Sequence, residues 1–387
     1  MFYCKKYDKT PGSPLYLLFR FLLRIFFFRI KKAEYDDKLL SEAQKPFIIL
    51  SNHESFYDFY YILRMIKGSR PNALINEYYT KLPVLRMFAL RCGVLPKKLF
   101  TREVSTVLRI NNMLKKGYPV IIFPEGRLTP DGRTSKIIKS GAAFYRRLKY
   151  DLVLVKIDGA YYSSPKWRKR YYPSKVKVSV EKVIHSDELK KMTDESLEEI
   201  ICSSLKNDAS KCELAKYEQK DKAEGLEGVL FRCVFCNKKY KMLGKGNDLL
   251  CEACGKKLTI DENYHFTEWP YTIPAYYDAI VEEEKKEIDT LNLRMEVTLK
   301  VFGENGGIVK KEDGECIMNK NVFIYRSLSE EFEIPVKEFD GMAFSCSKEI
   351  EFYRGEELYF FYPKKDRQQV AQWALFIDLM SDRRGGA

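Results

Sequence analysis

The sequence predicts an α/β unit with a mainly parallel sheet flanked by helices, then a small cysteine-built module, then an antiparallel β unit closed by one helix. Three observations carry this. Between residues 46 and 210, short continuous apolar runs alternate with helix-like segments, the texture of strands buried on both faces. Two Cys-x-x-Cys pairs lie close together, at Cys233, Cys236, Cys251 and Cys254. From about residue 292 the pattern turns to short alternating strands separated by turn residues.

The chain of 387 residues exceeds one ordinary compact domain, and its 45% hydrophobic content argues against disorder. A net charge of +13 calls for an anionic partner: nucleic acid, a phospholipid surface or a phosphorylated substrate. Aromatic residues at 14%, interleaved with Lys and Arg, favour a lipid interface. The 10 cysteines are unevenly spaced in a long chain, which reads as a reducing compartment, the cytoplasm, and not as a disulfide framework.

Residues 1–45 read as a basic amphipathic segment at a membrane interface. The stretch 14–30 is strongly apolar but carries Arg20, Arg24 and Arg29. A helix of that length reaches about 25 Å, short of a hydrocarbon core of about 30 Å. Each arginine at mid-bilayer would cost about 2.5–3.5 kcal/mol. The expectation is a helix lying in the interface, Phe and Leu toward the acyl chains and arginines among the phosphates. A buried core helix is the alternative, at the cost of burying three arginines. No small-residue cleavage site follows, so a signal peptide is not expected.

Within 46–210, the apolar runs 46–51, 118–123 and 152–157 predict strands, and 105–116 predicts a helix on the spacing of Val107, Leu108, Ile110 and Leu114. A strand over 175–183 and a helix over 196–205 close the unit. The charged residues 206–227 read as a linker. Residues 228–262 hold the cysteine module, and 290–387 the last unit, with strands at 295–301, 315–325, 331–336, 349–353 and 357–362. Its final helix has Val370, Trp373, Ile377 and Met380 on one stripe, with Asp366 and Gln369 as a capping box. Strands closed by one such helix resemble a pleckstrin-homology-like or GRAM-type barrel.

The sharpest local feature is Asn52-His53-Glu54-Ser55-Phe56-Tyr57-Asp58, directly after the first apolar run. On a continuous helix, residues five apart point roughly 140° from one another. His53 and Asp58 therefore meet only if His53 precedes a helix that Asp58 begins. An Asp on one imidazole nitrogen fixes the tautomer and leaves the other as a general base. Phe123-Pro124-Glu125-Gly126-Arg127 follows the second run at the corresponding end, where backbone N–H groups and a cation can hold phosphate. A structural histidine and a solvated Glu–Arg pair remain the bland alternatives for each block alone.

Together and in this order, the two blocks resemble the glycerolipid acyltransferase family, whose best-known members are lysophosphatidic acid acyltransferases. Its His and Asp separated by four residues match His53 and Asp58, and its Phe-Pro-Glu-Gly block matches Phe123 to Gly126. Lys139 to Ala143 and Leu152 to Gly159 look like its later blocks, so the resemblance covers about residues 14–205. Two departures stand out. Where the family usually has a phosphate-binding Arg, Gly93-Val-Leu-Pro96 leads to Lys97 and Lys98, with Arg102 beyond. Where Thr-Arg-Ser commonly follows the Glu-Gly pair, this chain has Arg127-Leu128-Thr129. Lysine lacks arginine's bidentate fork, which bears on the acceptor headgroup.

The resemblance implies direct transfer from an acyl thioester, acyl-CoA or acyl carrier protein, to 1-acylglycerol 3-phosphate, giving phosphatidic acid. His53 and Asp58 would be the catalytic pair. Glu125, Gly126, Arg127, Lys97 and Lys98 would bind the phosphate of the lysophospholipid. The implied location is the cytoplasmic face of the cell membrane, peripheral or in-plane. Another lysolipid or alcohol as acceptor, or a non-catalytic zinc-ribbon protein that binds nucleic acid or another partner, are the rival readings.

Cys233-x-x-Cys236 and Cys251-x-x-Cys254 have the spacing of a structural zinc ribbon, four thiolates on two knuckles. Such ribbons often contact nucleic acid, but with no RNP-type motif or P-loop nucleic acid is not the expected partner. The stretch 166–172 (KWRKRYY) reads either as a solvated loop or as membrane contact; His185 and His265 suggest no role.

Overall fold

The computed structural model describes residues 10–26, 33–81, 92–101, 103–137, 141–214, 216–269, 272–304 and 306–385. The chain divides into two compact units, the first running to residue 216 apart from 99–101 and 166–169, the second comprising those segments and 217–387.

The first unit is built on a seven-stranded sheet of order β1-β7-β6-β2-β5-β3-β4. The strands are β1 (Ala33–Asp36), β2 (Ile48–Ser51), β3 (Asn72–Asn76), β4 (Val94–Lys97), β5 (Val120–Ile122), β6 (Leu152–Asp158) and β7 (Val176–Ile184). From β6 through β2, β5 and β3 to β4 every pairing is parallel. β7 runs antiparallel to β6, with β1 parallel to β7. The sheet is thus parallel at its centre and mixed at one edge. Residues 33–36, assigned from sequence to the amphipathic segment, supply that edge strand, so the chain enters the sheet before residue 46.

Alternation along β2 shows why the runs are continuously apolar. Ile48 and Leu50 pack on one face with Met113 and Leu114 of the helix Val104–Lys115 and Ile201 and Leu205 of the helix Asp194–Leu205. Phe47 and Ile49 pack on the other with Tyr61, Ile62 and Met65 of the helix Asp58–Met65. Both faces of the strand are buried, so no polar alternation is tolerated.

The helix Ser13–Phe26 turns Leu17, Leu18, Phe21, Leu22 and Ile25 to the outside while Tyr16 is buried. The Arg20 guanidinium donates to the Leu63 carbonyl at 3.1 Å. Arg20 therefore serves the last turn of the helix Asp58–Met65, where orphan carbonyls favour a cation, and does not join the outward face as expected. The Arg24 side chain and Arg29 lie outside the described residues. Among the described residues, no helix is long and apolar enough to cross a membrane.

In the second unit, β8 (Met242–Lys245), β9 (Asp248–Cys251) and β10 (Lys257–Thr259) form a small antiparallel sheet. A helix not expected from sequence, Ile273–Glu287, follows; the Thr272 hydroxyl caps it by accepting the Ala275 N–H. Seven antiparallel strands complete the unit in the order β14-β13-β12-β11-β17-β16-β15. They are β11 (Leu293–Phe302), β12 (Ile308–Met318), β13 (Val322–Ser327), β14 (Glu331–Pro335), β15 (Ala343–Ser345), β16 (Glu349–Arg354) and β17 (Glu357–Pro363). The helix Gln369–Gly385 buries Val370, Trp373 and Ile377, and Trp373 meets Phe323 at 5.9 Å between ring centroids.

Three expectations are corrected. The strand expected over 315–325 is two strands, divided where Asn319 Oδ1 accepts the N–H groups of Asn321 and Val322. At residue 366 the backbone carbonyl of Asp366 accepts the Gln369 N–H, with Asp366 at a φ of 43°, so the expected helix cap takes another form. Within the 166–172 stretch only Lys169 and Arg170 are exposed, so the solvated-loop reading holds in part. Trp167 and Arg168 are buried, with Arg168 donating to the Tyr264 hydroxyl and Trp167 Nε1 to the Lys222 carbonyl.

Candidate active site

Parallel strands leave their C-terminal ends at one edge, where loops gather, and here β2 and β5 are neighbours. At the exit of β2 the Asn52 side chain pairs twice with β6, Nδ2 donating to the Ile157 carbonyl at 2.7 Å and Oδ1 accepting the Ile157 N–H at 2.8 Å. The chain is thereby fixed just before His53. Residues 53–57 form the connection and Asp58 opens the next helix, with Tyr57 as N-cap residue.

This satisfies the steric condition for the pair. His53 Nδ1 lies 2.9 Å from Asp58 Oδ2. The Asp58 carboxylate is fully buried and also accepts the Ser55 N–H at 2.9 Å and the Ser55 hydroxyl at 2.8 Å. These three contacts fix the carboxylate in place at the start of the helix. A carboxylate facing Nδ1 places the imidazole proton there, leaving Nε2 as the basic nitrogen. The imidazole stacks on Phe123, ring centroids 4.2 Å apart and planes 18° apart, and its side chain is 21% exposed, so solutes can reach it.

The β5 loop is sewn to the same turn. Glu125 Oε1 accepts the His53 N–H at 2.7 Å and Oε2 accepts the Ser135 N–H at 2.6 Å. Burial pushes the Glu125 carboxyl up to about 8 against those bonds. Both Glu125 oxygens are engaged by backbone donors, so the carboxyl ties the His53 turn to Ser135. Gly126 sits at a φ of 72°, a conformation that suits glycine, and its N–H closes a turn onto the Phe123 carbonyl. Arg127 follows, half-buried.

Lys97 ends β4, paired with Asn76 of β3, at the same edge and two strands from β5. At about 4.8 Å per strand this is roughly 10 Å from β5. Its ammonium donates to the Lys98 carbonyl at 3.4 Å, and burial holds its pKa below the usual lysine range. Lys98 is buried, and its N–H donates to Glu103. The structure thus brings His53, Asp58, Glu125, Gly126 and Arg127 to adjacent strand ends, with Lys97 and Lys98 farther along the edge. Arg102 and Lys139 lie outside the described residues.

Residues 31–155 match the model of the family described as Acyltransferase, a segment that contains both loops. These residues form an acyltransferase-family domain. Over 105 residues, 27% of this chain, it is 32% identical to the 1-acyl-sn-glycerol-3-phosphate acyltransferase LPAT1, chloroplastic, of Arabidopsis thaliana. It is equally similar to the 1-acyl-sn-glycerol-3-phosphate acyltransferase BAT2, chloroplastic, of Brassica napus. The chain spans 29% and 30% of the length of these relatives. The solved 1-acyl-sn-glycerophosphate (LPA) acyltransferase PlsC from Thermotoga maritima aligns over 49% of this chain and 78% of its own, with 20% identity and a TM-score of 0.41.

Two residues of the first unit escaped the sequence reading as site residues. Ser55 binds both Asp58 oxygens, which its place inside the His–Asp interval could have suggested. Asn207 lies in the charged stretch read as a linker, yet it is buried and donates to Glu54 of the His53 turn. Nothing in the local sequence signals it.

In the second unit, the four cysteines come together with every Sγ within 4.8 Å of the others. Cys233 and Cys254 are 3.8 Å apart, Cys236 and Cys251 3.7 Å. A tetrahedral ion with metal–sulfur bonds of about 2.3 Å needs sulfurs about 3.8 Å apart, so the donor set fits such an ion. Each Cys-x-x-Cys turn ends in a left-handed residue, Asn237 or Gly255, whose N–H closes onto the first cysteine's carbonyl.

Proposed function

We propose that this chain moves a fatty acyl group from an acyl thioester to the free hydroxyl of 1-acylglycerol 3-phosphate, giving phosphatidic acid. The observation that carries the reading is the His53–Asp58 pair, with a reachable imidazole, at adjacent strand ends of an acyltransferase-family domain. His53 Nε2 takes the hydroxyl proton as the oxygen attacks the thioester carbonyl. The carbon–sulfur bond breaks, and the thiolate leaving group takes back the proton. Arg127, Lys97 and Lys98 supply cations for the acceptor phosphate, and the Gly126 turn lets backbone approach it. The names of the curated relatives support this acceptor.

The outward Leu17, Leu18, Phe21, Leu22 and Ile25 support in-plane attachment to a phospholipid surface, in keeping with the cytoplasmic membrane face. Sulfur spacing supports structural zinc on Cys233, Cys236, Cys251 and Cys254, within a ribbon over 228–262. The strand order of residues 290–387 with its closing helix supports a pleckstrin-homology-like unit.

The test is a product survey by mass spectrometry. Purified protein in lipid vesicles receives acyl-CoA, or acyl carrier protein thioester, and one acceptor at a time: lysophosphatidic acid, lysophosphatidylcholine or a long-chain alcohol. Phosphatidic acid as the main product supports the reading. Acylation of only a phosphate-free acceptor overturns the substrate.

A further inference from the structure

The turn that carries His53 is held from a second side. Glu54 is buried, and its Oε2 accepts the N–H groups of Ala160 at 2.8 Å and Tyr161 at 3.0 Å, just beyond β6. Its Oε1 accepts from Asn207 Nδ2. The same Asn207 amide lies 3.2 Å from Asp158 Oδ1, so it stands between two carboxyl groups. Burial, with Asp58 and Asp158 nearby, pushes the Glu54 carboxyl well above its ordinary range, and the Asn207 bond opposes that shift.

The Asn207 backbone reaches the other brace. Its N–H donates to the Thr134 hydroxyl at 2.8 Å, and its carbonyl accepts the Thr134 N–H at 3.0 Å. Thr134 precedes Ser135, whose N–H Glu125 holds while also holding His53. One residue thus ties both supports of the His53 turn together. A buried carboxyl is costly unless every acceptor is engaged, so this network fixes position and does not merely fill space.

We propose that Glu54 and Asn207 are positioning residues that act as one unit to hold His53 where its imidazole meets the acceptor hydroxyl. The inference rests on the acyl-transfer reading of His53. Glu54→Gln sets an amide donor against the Asn207 donor, and Asn207 cannot flip without turning its oxygen toward Asp158.

The test is steady-state kinetics of the full chain in vesicles with lysophosphatidic acid and acyl-CoA, on protein whose folded fraction is measured by circular dichroism. Asn207→Ala and Glu54→Gln are expected to lower kcat about 10- to 100-fold, the cost of a small misplacement, with KM little changed. The double variant is expected to lose no more than the worse single one. Asn207→Ala keeps both backbone bonds of Glu54 and decides the matter alone if Glu54→Gln does not fold. Asp151→Asn, which loosens the remote His185–Asp151 contact of the same unit, serves as a destabilised control with normal kcat per folded molecule. An unchanged kcat in Asn207→Ala, a loss carried by KM, or losses that multiply would overturn the proposal while leaving the function standing. No product from the wild type would overturn both.

Discussion

Glu125 meets His53 through the backbone and not through the imidazole: its Oε1 accepts the His53 N–H at 2.7 Å while Oε2 accepts the Ser135 N–H at 2.6 Å. The buried carboxyl thus joins two loops, and the His53 imidazole is left to be set by Asp58.

A pH dependence of stability follows. In the unfolded chain the Glu125 carboxyl ionises near 4.5, whereas burial in the fold raises it to about 8. Below 4.5 both states hold the proton. Between the two values only the unfolded state has released it, so this group's stability contribution is full at low pH and lost as pH rises through about 8. The slope is at most about 1.4 kcal/mol per pH unit. Urea denaturation from pH 5 to 9 is expected to show a fall that Glu125→Gln flattens; parallel curves for the two proteins would refute it.

Asp58 accepts three donors, one of them the imidazole. Asp58→Asn offers an N–H₂ group where an acceptor is needed and no longer fixes the Nδ1–H tautomer. A loss of about 10²- to 10⁴-fold in kcat is expected, with KM retained. A loss confined to KM would place Asp58 outside the chemical step.

The cysteine cluster is expected to hold one zinc ion per chain, counted by plasma mass spectrometry, and Cys236→Ser to abolish it. Neighbouring Arg232 is buried against Glu284, which also accepts from Gln372 of the last helix. Arg232→Ala removes one of the two cations on buried Glu284, leaving Lys239 at 3.1 Å, and is expected to cost about 1–3 kcal/mol in the stability of the second unit. Melting of zinc-loaded Arg232→Ala indistinguishable from wild type would contradict this.

Leu17, Phe21 and Ile25 project outward on one helical face. Burying such a side chain is worth about 1.5–3 kcal/mol. Replacing all three by Ser is expected to weaken vesicle binding by at least about 100-fold in flotation assays. Unchanged flotation would assign membrane attachment elsewhere.

The legible parts of the sequence were those with one physical cause. β2, β5 and β6 are buried on both faces and stand out as apolar runs, and His53 and Asp58 share a six-residue window that a helix start brings together. β3 and β4 were hidden because Asn72, Asn76, Pro96 and Lys97 interrupt the apolar pattern, and an edge strand tolerates the proline. β1, with the sequence AEYD, alternates over too few residues to register. Asn207 was illegible because its partners lie at residues 54, 134 and 158, contacts that only the folded sheet creates.

The most direct test of the central claim is formation of phosphatidic acid from isotope-labelled acyl-CoA and lysophosphatidic acid, by wild type and by a folded His53→Ala variant side by side. The account predicts labelled product from the wild type and a loss of about 10³-fold or more in the variant. Equal product from both, or none from the wild type with either donor, would contradict it.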